Sequence, residues 1–201
     1  VIGITGTNGK TTTTSLTYDI MKRHAKKALL VGNIEIPYTG YALESDKDSV
    51  TVAEISSFQL ETMVTFKPHV TAILNITPDH LDRHKTLENY IAIKESITKN
   101  QDENDFCVLN YNDPVLREFG KAPRCKVIFF SSSEELESGV FLRGDTMIIK
   151  ENGVETPVCT TKDTSLVGMH NYENIMAAIA MTHAMGVPLD TIRQGIKEFT
   201  A

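Results

Sequence analysis

A stretch near the amino end of the sequence, GITGTNGKTTTT, has the composition of a phosphate-binding loop but not its usual spacing. The common pattern G-x-x-x-x-G-K-[ST] needs a glycine five residues before Gly9, where Ile4 stands, and the nearest upstream glycine in the loop is Gly6. Between an apolar strand and a helix, such a loop directs backbone N–H groups and the positive helix end towards an anion. Lys10 would then bind the β- and γ-phosphates of a nucleotide, and the Thr11 hydroxyl would bind Mg²⁺.

Other interpretations of this stretch need no ligand. It could be a tight strand-to-helix turn with a solvated lysine, although the apolar run before it and the helical pattern after it favour phosphate binding. The run Thr12 to Thr14 also suits capping and packing in a first helical turn.

Polar residues interrupt or follow two further apolar runs. Glu54 ends the run SVTVAE, at the edge where open α/β sheets bind ligands, and could bind Mg²⁺. An exposed carboxylate without a role fits the pattern equally well. In NITPDHLDRH, His80 or an aspartate could reach a metal or a phosphoryl group, although each residue alone is more often a solvated loop residue. The polar residues of this turn are Asp79, His80, Asp82, Arg83 and His84.

A lysine and two asparagines farther along have structural alternatives that the pattern alone favours. Lys94 lies on the apolar face of a predicted helix, which is typical of a lysine with a buried stem and a solvated ammonium group. Asn171 and Asn174 share one face at the start of another helix. Asparagine can hydrogen-bond an adenine edge, but it is also common at helix amino ends.

Strand-like runs that alternate with helices predict an α/β fold, namely a P-loop-containing, doubly wound, mostly parallel sheet with helices on both faces. Between residues 139 and 161, apolar and polar residues alternate around two glycine turns, which predicts a small antiparallel meander at the sheet edge. No repeat or linker interrupts the chain, so we expect one domain over residues 1–201. The predicted strands cover 1–5, 27–32, 49–56, 69–76, 105–111 and 125–132, and the predicted helices 13–24, 87–99, 113–120, 170–186 and 189–199.

Composition excludes several classes of protein. The 201 residues are 41% hydrophobic and 23% charged, as in an ordinary globular protein, and the formal charge of −6 argues against a broad nucleic-acid-binding face. No apolar run is long enough for a membrane span, so we expect no membrane partner. Three widely spaced cysteines suggest neither a zinc site nor a disulfide framework, which favours the cytoplasm. The abrupt ends lead us to expect a portion of a longer protein.

Several motifs together resemble the central ATPase domain of the Mur ligases, the ATP-dependent amide-bond-forming enzymes of peptidoglycan synthesis. They are TGTNGKT, EISSFQLE, ILNITPDHLDRH, the helix with Lys94 and GMHNYENIMAAIA, and they occur in the family's order over nearly the whole chain. The family's loop has the shorter spacing G-x-x-G-K-[ST], which is shared with folylpolyglutamate and cyanophycin synthetases. SSFQLE followed by NITPDHLDRH looks most like the member that adds D-glutamate to UDP-N-acetylmuramoyl-L-alanine.

The resemblance implies a role for each matching residue. Thr11 and Glu54 would bind one Mg²⁺, and His80 a second one together with Lys94, if that lysine is carbamylated as its family counterpart is. Lys10, His80 and Lys94 would be the catalytic residues, while Asn33, near the reacting carboxylate, and Ser56 would face the substrate. Glu35 departs from the family's usual G-N-I-G and adds a charge close to that site. The implied ATP-binding residues are Gly6, Thr7, Asn8, Gly9, Lys10, Thr11, Thr12, Asn171 and Asn174.

The implied reaction has two steps. The alanyl carboxylate attacks the γ-phosphorus of ATP to give an acyl phosphate and ADP, and the amine of D-glutamate then displaces phosphate. The family also has a UDP-binding and an amino-acid-binding domain, which we expect to be missing here, so that the chain alone has little ligase activity. Two alternatives stay open: a sibling Mur or folylpolyglutamate-type ligase with another substrate, and a non-catalytic nucleotide-binding or excised module.

Overall fold

The computed structural model describes residues 1–34, 36–41 and 43–200, so the prediction about Glu35 lies outside the described residues. Nine strands in this part of the chain form one sheet, in the order β2-β3-β1-β4-β5-β6-β7-β8-β9. The strands are β1 (Ile2–Thr5), β2 (Lys27–Gly32), β3 (Ser49–Glu54), β4 (Val70–Ile73), β5 (Phe106–Asn110), β6 (Lys126–Ser131), β7 (Gly139–Arg143), β8 (Thr146–Glu151) and β9 (Val154–Thr160).

Strand β1 is the point at which the chain changes direction across the sheet. It pairs in parallel with β3 on one side and β4 on the other, and the parallel pairing continues outwards as far as β7. In open α/β sheets, ligands bind beyond the carboxyl ends of the strands at such a switch point. The segments that follow β1, β3 and β4 are therefore the ones positioned to form a site.

Five of the seven described helices and two short 3₁₀ turns connect the strands, and the last two helices follow the final strand. The first helix begins at Lys10 rather than at residue 13 as predicted, because Gly9 adopts a left-handed conformation and starts the helix directly after the loop. The short helices α2 and α3 were not predicted, since neither is long enough to show a periodic pattern. The helices are α1 (Lys10–His24), α2 (Ser57–Thr62), α3 (Leu81–His84), α4 (Leu87–Glu95), α5 (Pro114–Phe119), α6 (Met169–Ala184) and α7 (Leu189–Glu198), with 3₁₀ turns at Tyr38–Tyr41 and Ser96–Thr98.

Helices cover both faces of the sheet, as predicted. One hydrophobic cluster joins the sheet to α1, α6 and α7, and a second joins its other face to α2, α4 and α5. Successive strand residues alternate between the two clusters: Val70 and Ala72 of β4 belong to the first, and Ile73 belongs to the second. This two-sided burial explains why the central strands are almost continuously apolar.

The edge meander differs from the prediction in one respect. Its first strand, β7, pairs in parallel with β6 and so extends the parallel sheet, whereas β7, β8 and β9 pair antiparallel as expected. Gly144, Asn152 and Gly153 adopt positive φ angles at the two hairpin turns, which explains the residue types there. Within the described ranges, no helix combines the length and the apolarity that crossing a membrane requires.

Candidate active site

The loop between β1 and α1 depends on glycine at its last position. Gly9 has a φ angle of 81°, and a Cβ atom built on it would lie 2.3 Å from the side-chain oxygen of Asn174. Any larger residue would therefore be strained and would also displace the side chain of Asn174. The short spacing Gly6 to Thr11 thus forms a complete, tightly packed loop.

Asn75, just after β4, holds this loop against the sheet. Its side-chain oxygen accepts from the backbone N–H of Asn8 at 2.8 Å, and its amide group donates to the carbonyl of Asn8 at 3.0 Å. The backbone carbonyl of Asn75 also accepts from Thr7 N–H, and Thr77 N–H donates to the Thr7 hydroxyl. Asn75 is not among the predicted site residues, although a polar residue at the end of a buried strand could have indicated it.

Lys10 is held by the loop and is not a freely solvated lysine. Its ammonium group donates to the carbonyls of Gly6 and Thr7 at 3.0 and 2.8 Å. These contacts keep the positive charge over the loop, at the amino end of α1, where the helix dipole adds to its attraction for anions.

Glu54 is buried, with 2% of its surface exposed, so the alternative of an exposed carboxylate without a role is wrong. One carboxylate oxygen accepts from the Thr11 hydroxyl at 2.9 Å, and the other accepts from the Asn33 amide at 3.0 Å. The backbone N–H of Asn33 also donates to the Glu54 carbonyl. The carboxylate therefore joins the first turn of α1 to the segment after β2.

Lys94 is also buried, with 2% of its surface exposed, so the alternative of a solvated ammonium group, which the pattern alone favours, is wrong. Its Nζ donates to the carbonyl of Gly6 at 2.9 Å and lies 4.7 Å from the centre of the Tyr90 ring. The Tyr90 hydroxyl is also hydrogen-bonded to Thr7 at 3.1 Å. The phosphate loop therefore packs over the face of α4 that carries Tyr90 and Lys94. Burial, together with the nearby charge of Lys10, lowers the pKa of Lys94 to about 7.

His80 lies in the turn after β4 with a φ angle of 51°. Its ring contacts Phe58, with centroids 5.1 Å apart, and its Nε2 is 3.5 Å from the Asp79 carboxylate. Half of its side chain is exposed, and none of the hydrogen bonds described joins it to the phosphate loop. The structure thus brings Lys10, Glu54 and Lys94 to the loop, but it leaves His80 at the rim.

Two neighbours of His80 bind α2: His84 is not the solvated loop residue that the pattern favours, and Arg83 is exposed but paired. His84 is buried and its Nε2 lies 3.0 Å from the Ser57 hydroxyl, while its Nδ1 is 3.0 Å from Glu61 but out of line for a hydrogen bond. Arg83 donates to the same Glu61 carboxylate at 2.7 Å. These residues fasten α3 to α2 and so position the turn.

Asn174 borders a cavity of about 400 Å³ on the β5–β6 side of the loop. It is buried beside Gly9, and its amide donates to Asn171 at 3.3 Å. Asn171 donates in turn to the carbonyl of Val167 at 2.8 Å, so it holds Asn174 in place from the helix end. Glu173, which is not among the predicted residues, accepts from Ser132 and Asn110 through its carboxylate at the cavity rim. The cavity is lined by Asn8, Gly9, Leu74, Asn75, Phe130, His170, Glu173 and Asn174.

The remaining predicted residues have structural contacts. Ser56 is the amino cap of α2: its hydroxyl accepts from the backbone of Gln59, whose side chain in turn accepts from the backbone of Ser56. Thr12 is half-buried in the first turn of α1.

Among the described residues, His, Cys, Asp and Glu nowhere form a group of three that could hold a metal ion by themselves. A cation bound by Thr11 and Glu54 would therefore also need oxygen atoms from phosphate or water.

Comparison with known proteins decides the family. A family model described as the Mur ligase middle domain matches residues 4–182. The chain belongs to the Mur ligase family. The resemblance inferred from the motifs is thereby confirmed, and the short phosphate loop is the one expected of a Mur ligase.

Relatives and solved structures agree with this Mur ligase assignment. The chain is 50% identical over 199 residues to a UDP-N-acetylmuramoylalanine–D-glutamate ligase from Lachnoclostridium phytofermentans and 49% identical to one from Lachnospira eligens. The two alignments cover 99% and 100% of this chain but only 44% and 45% of the relatives. The chain therefore spans less than half of their length. MurF from Acinetobacter baumannii has the same fold, with a TM-score of 0.76 and 22% identity over 100% of this chain and 45% of that one.

Proposed function

We propose that residues 1–201 are the central ATP-binding domain of an ADP-forming ligase that adds D-glutamate to UDP-N-acetylmuramoyl-L-alanine in peptidoglycan synthesis. The names of the relatives support this substrate pair. The observation that carries the proposal is the convergence of Lys10, Glu54 and Lys94 on one phosphate loop. We further propose that flanking domains supply the UDP and amino-acid sites, so that the isolated chain has little activity.

ATP would lie along the loop from the cavity beside Gly9 to Thr11. The cavity that Asn174 borders is large enough for a purine base, with Asn171 behind it. The backbone N–H groups from Gly6 to Thr11 would bind the phosphates, and Lys10 would exchange its two loop carbonyls for phosphate oxygens.

The residues at the terminal-phosphate end fit a Mg²⁺ ion. The Thr11 hydroxyl and the Glu54 carboxylate are hard oxygen donors within hydrogen-bond distance of each other, and Mg²⁺ is bound by a few such groups together with phosphate and water. When bound there, Mg²⁺ would neutralise charge on the transferred phosphoryl group.

Lys94 suits the carbamate that the family resemblance implies. Carbamylation requires a neutral amine, and a pKa of about 7 makes a large fraction of Lys94 neutral at physiological pH. A carbamate on this nitrogen would provide oxygen ligands for a second Mg²⁺. His80 would be a further ligand of that ion, from the rim of the site. The residual N–H could still donate to the carbonyl of Gly6.

The protein's own groups then serve both steps of the reaction. Asn33, held by Glu54, would direct its amide to the alanyl carboxylate as that carboxylate attacks the γ-phosphorus. Lys10 would neutralise charge that develops on the transferred phosphoryl group. The acyl phosphate that results carries phosphate as its leaving group, which departs when the amine of D-glutamate attacks the acyl carbon. Ser56 would line the substrate side of this centre.

The test is ADP release by the full-length protein with ATP, Mg²⁺, UDP-N-acetylmuramoyl-L-alanine and D-glutamate. We expect release only when both the precursor and D-glutamate are present, and a loss of at least about 100-fold in Lys10→Met. The exposed Lys22→Met is the matched control and should keep the wild-type rate.

Two outcomes would overturn the proposal. Equal or faster turnover with another amino acid, or with a folate substrate, would indicate a sibling ligase. ATP binding without ADP release from any such mixture would indicate a non-catalytic nucleotide-binding module.

A further inference from the structure

A second cavity, of about 240 Å³, adjoins Glu54 and is separate from the cavity beside Gly9. It lies between the ends of β2 and β3 and the helix α2. Gln59 is the other polar side chain at its wall, and its amide oxygen already accepts from the backbone and hydroxyl of Ser56. The remaining side chains of the wall are largely apolar: Tyr38, Ala53, Ile55, Met63 and Phe66. The cavity therefore suits an uncharged, apolar group.

The position of this cavity relates it to the reacting end of the nucleotide. The base would lie beside Gly9, and Lys10 and Thr11 follow it along the loop towards the terminal phosphates. Thr11 contacts Glu54, and Glu54 contacts Asn33, so these residues form a continuous row away from the base. With ATP bound as proposed, a group that accepts the γ-phosphoryl would lie at the end of this row, next to the cavity that Glu54 lines.

The chemistry of the two other substrates decides which one the cavity suits. D-glutamate carries two carboxylates, and the cavity wall contains one carboxylate and no cationic side chain to pair with them. The precursor presents an alanyl carboxylate, with a methyl group on the adjacent carbon. Resting on the function proposed above, we infer that this cavity is the subsite for the side chain of the residue whose carboxylate is phosphorylated.

The walls explain what such a subsite would select. Tyr38 meets Phe66 edge to face, with ring centroids 6.5 Å apart, and Met63 provides a flexible thioether at the end of α2. A methyl group fills only part of 240 Å³, so a slightly longer apolar side chain should also fit. Glycine would leave apolar surface without a partner, and serine would bury a hydroxyl among apolar walls.

The experiment compares precursors in the full-length protein by kcat/KM and by calorimetric binding. The precursors end in L-alanine, glycine, L-serine or L-2-aminobutyrate. We expect alanine to exceed glycine and serine by roughly 10-fold or more, and 2-aminobutyrate to stay within about threefold of alanine. Met63→Gln, which makes the wall polar at similar size, should reduce the alanine-to-glycine ratio to below about threefold, with KM for ATP unchanged.

Met185→Gln is the matched control, because Met185 is likewise a half-buried methionine at a helix carboxyl end, on α6. It should keep the wild-type ratio. Tyr38→Ala alters the same wall from a residue that is 40% exposed, and it tests the subsite if Met63→Gln fails to fold. Unchanged alanine-to-glycine ratios in both variants would overturn the subsite while leaving the ligase function intact. No ADP release by the wild type with any precursor would refute the function and the subsite together.

Discussion

Replacing Lys94 by methionine should make the stability of the fold less dependent on pH. The ammonium group of Lys94 is buried between the loop carbonyl of Gly6 and the Tyr90 ring, and its pKa falls from the ordinary 10.5 to about 7. Below pH 7 the lysine is protonated in both folded and unfolded chains, so the folded state bears the full cost of the buried charge. Methionine has similar length and removes that charge.

The sign and size follow from the two pKa values. Between pH 7 and 10.5 the unfolded chain binds more protons at this site than the folded chain, so the free energy of unfolding rises with pH. One pKa unit corresponds to about 1.4 kcal/mol. From pH 7 to 9 the wild type should therefore gain roughly 2 kcal/mol relative to Lys94→Met. The free energy of unfolding of Lys94→Met, relative to that of the wild type, is thus highest at or below pH 7.

Urea unfolding of the chain at pH 6.5, 7, 8 and 9 measures this difference, in buffers freed of carbon dioxide so that no carbamate forms. The contributions of groups that titrate in both proteins cancel when the free energy of unfolding of the variant is subtracted from that of the wild type. Lys22→Met, at an exposed position on α1, should show no trend. A flat difference between wild type and Lys94→Met over the same range would refute the reasoning, because it would mean that burial does not perturb Lys94.

Three further predictions concern the loop and its surroundings. Glu54→Gln should raise the Mg²⁺ concentration for half-maximal ADP release at least about tenfold; an unchanged Mg²⁺ titration would contradict this. Asn75→Ala removes two hydrogen bonds to Asn8 and should weaken ATP binding by roughly 3- to 10-fold in calorimetry; unchanged affinity would show that these bonds do not hold the loop in its binding form. Gly9→Ala should lower the free energy of unfolding by about 1–3 kcal/mol, more than Gly186→Ala, which has a similar φ of 78° but no atoms near its Cβ; equal losses would exclude the clash.

Much of the fold could be predicted because its determinants are local. Short apolar runs such as VIGIT and SVTVAE formed buried strands, and the glycine-bounded hairpins formed where turn residues stood. The start of α1 was misplaced by three residues, because the left-handed Gly9 initiates the helix through its backbone geometry and not through an apolar pattern. The parallel pairing of β7 with β6 was missed because pairing partners depend on contacts between distant segments.

The site shows the same division between local and distant determinants. Lys10 and Thr11 could be located from spacing alone, since the loop and its helix form one continuous segment. Lys94 and His84 could not be interpreted this way, because the residues that bury them come from other parts of the chain. Glu54 was ambiguous until its partners Thr11 and Asn33 were known, 43 and 21 residues away in sequence.

The sequence by itself determined most of the strand and helix pattern, the short phosphate loop and the family, because each depends on residue types at fixed short spacings. Only the tertiary structure decided which charged groups are buried and which partners they have. A lysine on an apolar helix face is solvated or buried according to what packs over it, and here the loop after β1 covers Lys94. Burial changes the pKa of that lysine and with it the chemistry open to the site, and no local pattern reports that burial.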